Sequence, residues 1–183
     1  KINSYEAKFY EELDSAEPYR TTTVEYLAKI NPVASPSKTG YDFAGWSADG
    51  ENVLTDLGNM DTEGKNFYAV WTPASVNYKV EHYYMTTDLT YADAADKTEK
   101  LKAETATTVT ATPETTENFT LDDDNSVLEA TVAGDGSTVL KVYYDRKTIT
   151  VDINGDKQDV PFGTEIDLPN DVDDGDEGTE FDK

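Results

Sequence analysis

Through most of this chain apolar and polar residues alternate with a period of two, the pattern of strands that bury one face and wet the other. Tyr5, Ala7, Phe9 and Leu13 fall on odd positions with Glu6, Lys8 and Glu12 between them, and only the apolar Tyr10 breaks the order. Ser15-Ala16-Glu17-Pro18 then turns the chain, and the Thr- and Val-rich run 21–27 returns it, so the spacing predicts an opening hairpin. The breakers Asn31-Pro32 and Ser35-Pro36 place 31–39 in a loop. That loop delivers the chain to Gly40-Tyr41-Asp42-Phe43-Ala44-Gly45-Trp46, an aromatic strand answered by Phe67-Tyr68-Ala69-Val70-Trp71. Between them, the Gly-interrupted stretch 53–60 leaves room for no more than a turn or two of helix.

A second series begins at Val76, with Val76, Tyr78, Val80, His82 and Tyr84 on one stripe and Asn77, Lys79 and Glu81 facing water. Residues 91–102 are rich in Ala, Asp, Glu and Lys, and predict a short helix near 92–101 with Glu99 and Lys102 on one face. From Thr98 to Thr120 nine of 23 residues are threonine. The alternation in 107–112, the isolated Pro113 and the run Phe119-Thr120-Leu121 favour ordered strand there over an O-glycosylated stalk. Ser126 to Val132, the turn Gly134-Asp135-Gly136 and Ser137 to Tyr144 predict a further hairpin.

Gly-Tyr-x-Phe-x-Gly-Trp followed by Phe-Tyr-Ala-x-Trp resembles the internalin-type B-repeat (Listeria–Bacteroides repeat) of Gram-positive surface adhesins, over about residues 5–73. The resemblance implies a small β-grasp module in which Gly40, Tyr41, Phe43, Gly45, Trp46, Tyr68 and Trp71 are structural residues of the core, with no active site among them. The strings Tyr78-Lys79-Val80-Glu81-His82-Tyr83, Thr-Val-Thr-Ala, Phe119-Thr120-Leu121-Asp122 and Leu140-Lys141-Val142-Tyr143-Tyr144-Asp145 resemble the mucin-binding-protein-like (MucBP) module, also related to the β-grasp fold.

Residues 160–169 align with 24–32 with one extra residue, and Gly178-x-x-Phe181 aligns with Gly40-x-x-Phe43, so the end of the chain reads as a second copy of its beginning. The missing aromatic strand of that copy would bury Ile149, Val151 and Phe162. The expected organisation is therefore a B-repeat at 1–74, a MucBP-like module at 75–147 and the truncated start of a further B-repeat at 148–183. The fold class is α+β and β-rich, with tandem β-grasp-like modules, antiparallel or mixed sheets and little helix.

Composition narrows the chemistry. The chain of 183 residues has 37% hydrophobic residues, which suits small cores in series better than one large one. It carries 38 acids against 15 basic residues, a net charge of −23 that repels nucleic acid and anionic membranes. No run of about 18 apolar residues crosses a bilayer. With no cysteine there is no disulfide and no thiolate site, and His82, the single histidine, has no second histidine with which to build a zinc site. Asp122-Asp123-Asp124-Asn125 and the acidic run 171–176 offer the oxygen ligands calcium prefers, but neither has the spacing of a calcium loop, so diffuse counterion binding is expected and no cofactor.

No Gly-rich phosphate loop, nucleophile elbow or zinc-helix motif is present, and two modules of about 70 residues leave little room for a cleft, so no enzyme is expected. The resemblance implies an extracellular protein of the bacterial cell wall, monomeric, working as an extended spacer for a distal adhesive domain. The competing expectation is direct adhesion to a host glycan or surface protein, through a sheet edge or the outward members of the pairs Tyr83-Tyr84 and Tyr143-Tyr144.

Overall fold

The computed structural model describes residues 2–153 and 155–166. All regular structure among them is strand: β1 (Ser4–Tyr10), β2 (Arg20–Glu25), β3 (Tyr41–Ser47), β4 (Lys65–Pro73), β5 (Ser75–Tyr84), β6 (Lys97–Glu104), β7 (Thr108–Thr110), β8 (Phe119–Val127), β9 (Glu129–Thr131), β10 (Val139–Arg146), β11 (Thr148–Ile153) and β12 (Asp156–Pro161). The β-rich class and its mixed sheets stand; the helical part of the α+β expectation does not. The segment expected to be helical near 92–101 instead runs into β6, whose entry is fixed by Asp96 N–H donating to the His82 carbonyl at 2.9 Å. Helix formers are weak priors, and a strand with free backbone groups alongside overrides them. The stretch 53–60 likewise spends its backbone on neighbours, with Leu54 N–H on the Trp46 carbonyl (2.8 Å) and Met60 N–H on the Ala28 carbonyl (2.9 Å).

Among the described residues the chain forms two compact units, one of residues 2–80 with 99–110 and 129–139, the other of 81–98 with 111–128, 140–153 and 155–166. In the first, a four-stranded sheet has the order β2-β1-β4-β3. β1 pairs antiparallel with β2 and parallel with β4, which sets Phe9 opposite Phe67. Their rings stack at 5.2 Å, and Trp46 meets Phe9 edge-on at 4.9 Å. Ala7, Phe9, Ile30, Met60, Phe67 and Ala69 complete a dry core around this contact.

The aromatic motif acquires a physical reading here. Residues 43 and 46 differ by an odd number, so in a regular strand Phe43 and Trp46 would face opposite ways. The β3–β4 register slips between Phe43 and Gly45, and the extra residue turns both rings to the core, 5.2 Å apart. Gly45 sits at φ +152°, and a Cβ there would lie 2.4 Å from a Val53 methyl. Trp71 closes the other end, edge-on to Phe43 at 5.7 Å, with its indole N–H donating to the Glu11 carbonyl at 2.8 Å. Tyr68 stacks on Tyr10 at 5.4 Å on the opposite face, and Tyr41 lies under the Lys38 ammonium at 4.5 Å.

A second four-stranded sheet has the order β6-β5-β10-β8, the same sequence of first, return and later strands as the first sheet. The predicted hairpin of 126–144 is not simple: β10 pairs with β8 across a bulge between Lys141 and Tyr143, whereas β9 leaves to pair with β7. Asp122 to Asn125 lie within β8, and the acidic run 171–176 is outside the described residues. β11 and β12 form a two-stranded sheet.

One backbone device occurs three times among the described residues. After β2, β6 and β12 the chain makes the same turn, closed by Ala28 N–H to the Glu25 carbonyl (2.9 Å), Thr107 N–H to Glu104 (3.2 Å) and Thr164 N–H to Pro161 (3.1 Å). Each turn carries a left-handed residue at its third position: Leu27 (φ 63°), Ala106 (φ 65°) and Gly163 (φ 81°). The residue before each turn's left-handed position also donates to a carbonyl just ahead of the strand that opens the hairpin: Tyr26 to Asn3 (2.9 Å), Thr105 to Ala74 (3.0 Å) and Phe162 to Lys147 (2.8 Å). The opening hairpin is thus one structural unit used three times.

Candidate functional site

The tyrosine pairs singled out in the sequence lie on β5 and β10, and alternation sends their members to opposite faces of the strands. On one face Tyr83 stacks on Tyr143 with ring centres 4.7 Å apart, and Tyr91 meets Tyr143 edge-on at 4.8 Å. On the other, Tyr84 stacks on Tyr144 at 4.6 Å, His82 lies parallel to Tyr144 at 5.8 Å, and Phe119 stands edge-on to Tyr84. The four tyrosines therefore make two stacked pairs and not one flat platform. Tyr83 and Tyr144 are buried, while Tyr143 and Tyr84 remain partly open.

The hydroxyls of Tyr83, Tyr84, Tyr91 and Tyr144 all have partners, as phenols withdrawn from water require. Tyr83 donates to Glu81 at 2.9 Å, and burial together with that carboxylate pushes its pKa up to about 12. The Tyr144 hydroxyl accepts from the Glu114 backbone N–H at 2.8 Å and meets His82 Nδ1 at 2.9 Å. Tyr84 donates to Glu114, whose other oxygen accepts from the Lys97 ammonium. Burial raises the Tyr84 phenol, while Lys97 and then Tyr84 hold the Glu114 carboxyl below its ordinary range. His82 is thus a strand residue packed against a tyrosine, as its place in the sequence implied.

The face carrying Tyr143 opens into a hollow of about 480 Å³ lined by Tyr83, Tyr91, Asp93, Asn125, Lys141 and Tyr143. At its wall the Tyr91 hydroxyl lies 3.0 Å from Asp122 and 2.8 Å from Asp145, so one phenolic proton stands between two carboxylates. Burial and both acids raise the Tyr91 phenol above its usual range. Asn125 clamps Asp122 through its side-chain and backbone N–H groups and keeps that acid ionised to lower pH. Lys141 places its ammonium 5.6 Å from the Tyr83 ring. An aromatic ring beside an amide, an ammonium and a carboxylate offers both stacking and hydrogen bonding to a polar ring. Sequence reasoning named Tyr83 and Tyr143 but missed Tyr91, Lys141, Glu114 and Lys97, which come from segments far apart in the chain.

The junctions form a second set of candidate functional positions. A single residue separates β4 from β5 and another separates β10 from β11. At the first, Ala74 N–H donates to the Gly40 carbonyl (2.9 Å), and its own carbonyl accepts from Thr105. At the second, Lys147 N–H donates to the Asn118 carbonyl (3.0 Å), and its carbonyl accepts from Phe162. Each connector is held through both its N–H and its C=O, one bond reaching back to an earlier loop and the other forward to a later one. At the Ala74 junction Gly40 lies against Gly134 so closely that a Cβ on Gly40 would fall 2.2 Å from the Gly134 Cα. This gives the opening glycine of the aromatic motif a reason beyond its positive φ.

No helix among the described residues is long and apolar enough to cross a membrane. No family model matches the chain, and no curated protein matches it.

Proposed function

We propose that this chain is a non-catalytic repeat region of a bacterial cell-surface protein, with B-repeat-like and MucBP-like modules, acting as an extended spacer that presents a distal adhesive domain. The observation that carries this reading is the pair of one-residue connectors, each tied at both its N–H and its C=O. A linker of free residues would let modules swivel and collapse on one another, whereas a connector with no unbonded backbone group holds each module to the next. The net charge of −23 adds mutual repulsion along the chain. Small-angle scattering at physiological salt is expected to fit an elongated particle, and a profile fitting a compact sphere overturns the proposal.

The hollow beside Tyr143 favours a second reading, direct adhesion to a host glycan, with the half-open Tyr143 ring as the stacking surface and Asn125, Lys141 and Asp93 as hydrogen-bonding groups. A glycan-array screen with the intact chain separates the two. Binding that disappears in Tyr143→Ala supports adhesion, and an empty array leaves the spacer role alone.

A further inference from the structure

Alternation puts His82 and Tyr84 on one face of β5, and Lys97 and Glu99 on one face of β6, its neighbour in the second sheet. Glu114 arrives from the loop between β7 and β8. Its N–H donates to the Tyr144 hydroxyl at 2.8 Å, and its carboxylate accepts from Tyr84. One donor atom from each of His82, Glu99 and Glu114 consequently lies within 4.8 Å of the other two. His82 is 1% exposed and both glutamates are half-buried, so the carboxylates form the side of this cluster that water reaches.

The donor set has a definite chemical preference. Calcium and magnesium take six or more oxygens, whereas an imidazole nitrogen beside two carboxylates suits zinc and its transition-metal neighbours. Three protein donors with water at the fourth corner is an arrangement zinc adopts. At zinc bond lengths of about 2.0–2.2 Å, tetrahedral donors sit about 3.4 Å apart, so the carboxylates need to close by no more than about 1.5 Å. Rotation of a glutamate side chain covers that distance. The imidazole is already oriented, because Nδ1 lies 2.9 Å from the Tyr144 hydroxyl. A metal therefore enters at Nε2, with Nδ1–H donating to the phenol oxygen as an outer bond that fixes the tautomer. A net charge of −23 draws cations to any exposed acid of this chain, but only here does a buried nitrogen stand with two carboxylates among the described residues.

We propose that His82, Glu99 and Glu114 are the ligands of a divalent transition-metal site of zinc type, with Tyr144 as the positioning residue of the imidazole. Lys97 is the competitor: its ammonium sits on the Glu114 carboxylate and has to yield that oxygen to the ion. A bound metal pins the 111–118 loop to β5 more firmly than the phenol contacts alone. This inference goes beyond the spacer and adhesion readings and depends on neither.

The probe is zinc chloride titrated into the full chain at physiological salt with calcium in excess, followed by calorimetry and by NMR of the imidazole nitrogens. Because His82 is the single histidine, its ring signals need no assignment. One equivalent of zinc is expected to bind saturably, shifting Nε2 while Nδ1 keeps its proton. His82→Gln and Glu99→Gln should each weaken binding at least about tenfold, and Tyr144→Phe about tenfold. Lys97→Met should strengthen it several-fold, since a like charge leaves the site. Circular dichroism matching the parent's shows that a variant is folded, and Glu99→Gln at its half-buried position carries the test where the buried His82→Gln fails that check. Zinc that calcium displaces, that leaves Nε2 unshifted or that binds Glu99→Gln undiminished is a counterion only and overturns the proposal. So does weaker binding in Lys97→Met.

Discussion

The core of the first sheet and the tyrosine cluster on β5 and β10 both tie neighbouring strands with stacked rings, but they do so with different chemistry. Phe9, Phe67 and Trp46 meet through hydrocarbon faces, and their contribution is area removed from water. Tyr83, Tyr84, Tyr143 and Tyr144 stack just as closely, yet all but Tyr143 also have a hydroxyl placed on a carboxylate, a backbone N–H or an imidazole. The first arrangement is indifferent to pH and sensitive to volume; the second is sensitive to both. Aromatic content alone therefore does not say how a sheet will respond to its surroundings.

The comparison breaks most sharply under truncation. Phe9→Ala removes the ring at the centre of the first core and is expected to cost about 3–5 kcal/mol, measured by chemical denaturation. Because both tryptophans of the chain, Trp46 and Trp71, belong to the first sheet, their fluorescence should report this loss while tyrosine signals in the second cluster hold. Tyr144→Phe keeps the stack and deletes only the hydroxyl, taking the acceptor from the Glu114 N–H, and should cost about 1–3 kcal/mol. A Tyr144→Phe variant as stable as the parent would show that the hydroxyl network is ornamental and that the two clusters work alike.

Titration sharpens the contrast further. Burial holds Tyr83, Tyr84 and Tyr91 protonated above the ordinary phenol range, so the unfolded chain loses those protons first as the pH rises. Their contribution is whole below about pH 10 and drains away as the pH climbs toward the raised Tyr83 value of about 12. The share of tyrosinate absorbance that belongs to Tyr83, Tyr84 and Tyr91 should therefore appear together with loss of the second cluster, while tryptophan fluorescence lags behind. The smallest effect is expected at the acid end. Glu114 is held below its usual range, so its contribution is present above about pH 4 and fades as the pH falls. Glu114→Gln should flatten that acid limb by lowering stability at neutral pH, with variant and parent converging at low pH.

Much of the first sheet was legible because its information is local. Alternation gave β1, β3 and β4; of the motif's aromatics Trp46 lies in the core with Phe43 and Trp71 packed against it, whereas Tyr41 and Tyr68 lie outside it. The bulge at Ala44 was not legible, since alternation by itself assigns Phe43 and Trp46 to opposite faces. In the second cluster the tyrosine pairs could be named but not their partners, because Glu114 lies 30 residues from Tyr84, and Tyr91 lies 54 from Asp145. The sequence of β6 points the wrong way because Lys, Glu and Ala favour helix when nothing competes, and β5 competes. The threefold turn was hidden for another reason. Leu27 and Ala106 are residue types that avoid left-handed backbone, so only Gly163 carries a signal for it.

The parallel pairing of β1 with β4 joins the first and last strands of the same sheet side by side. Tension drawn through the polypeptide from one end of that sheet to the other pulls these strands past each other along their length, so the bonds between them share the strain and yield together. A hairpin pulled open from its free ends instead parts one rung at a time. A sheet wired in this way resists stretching through its ends better than one whose terminal strands form a hairpin.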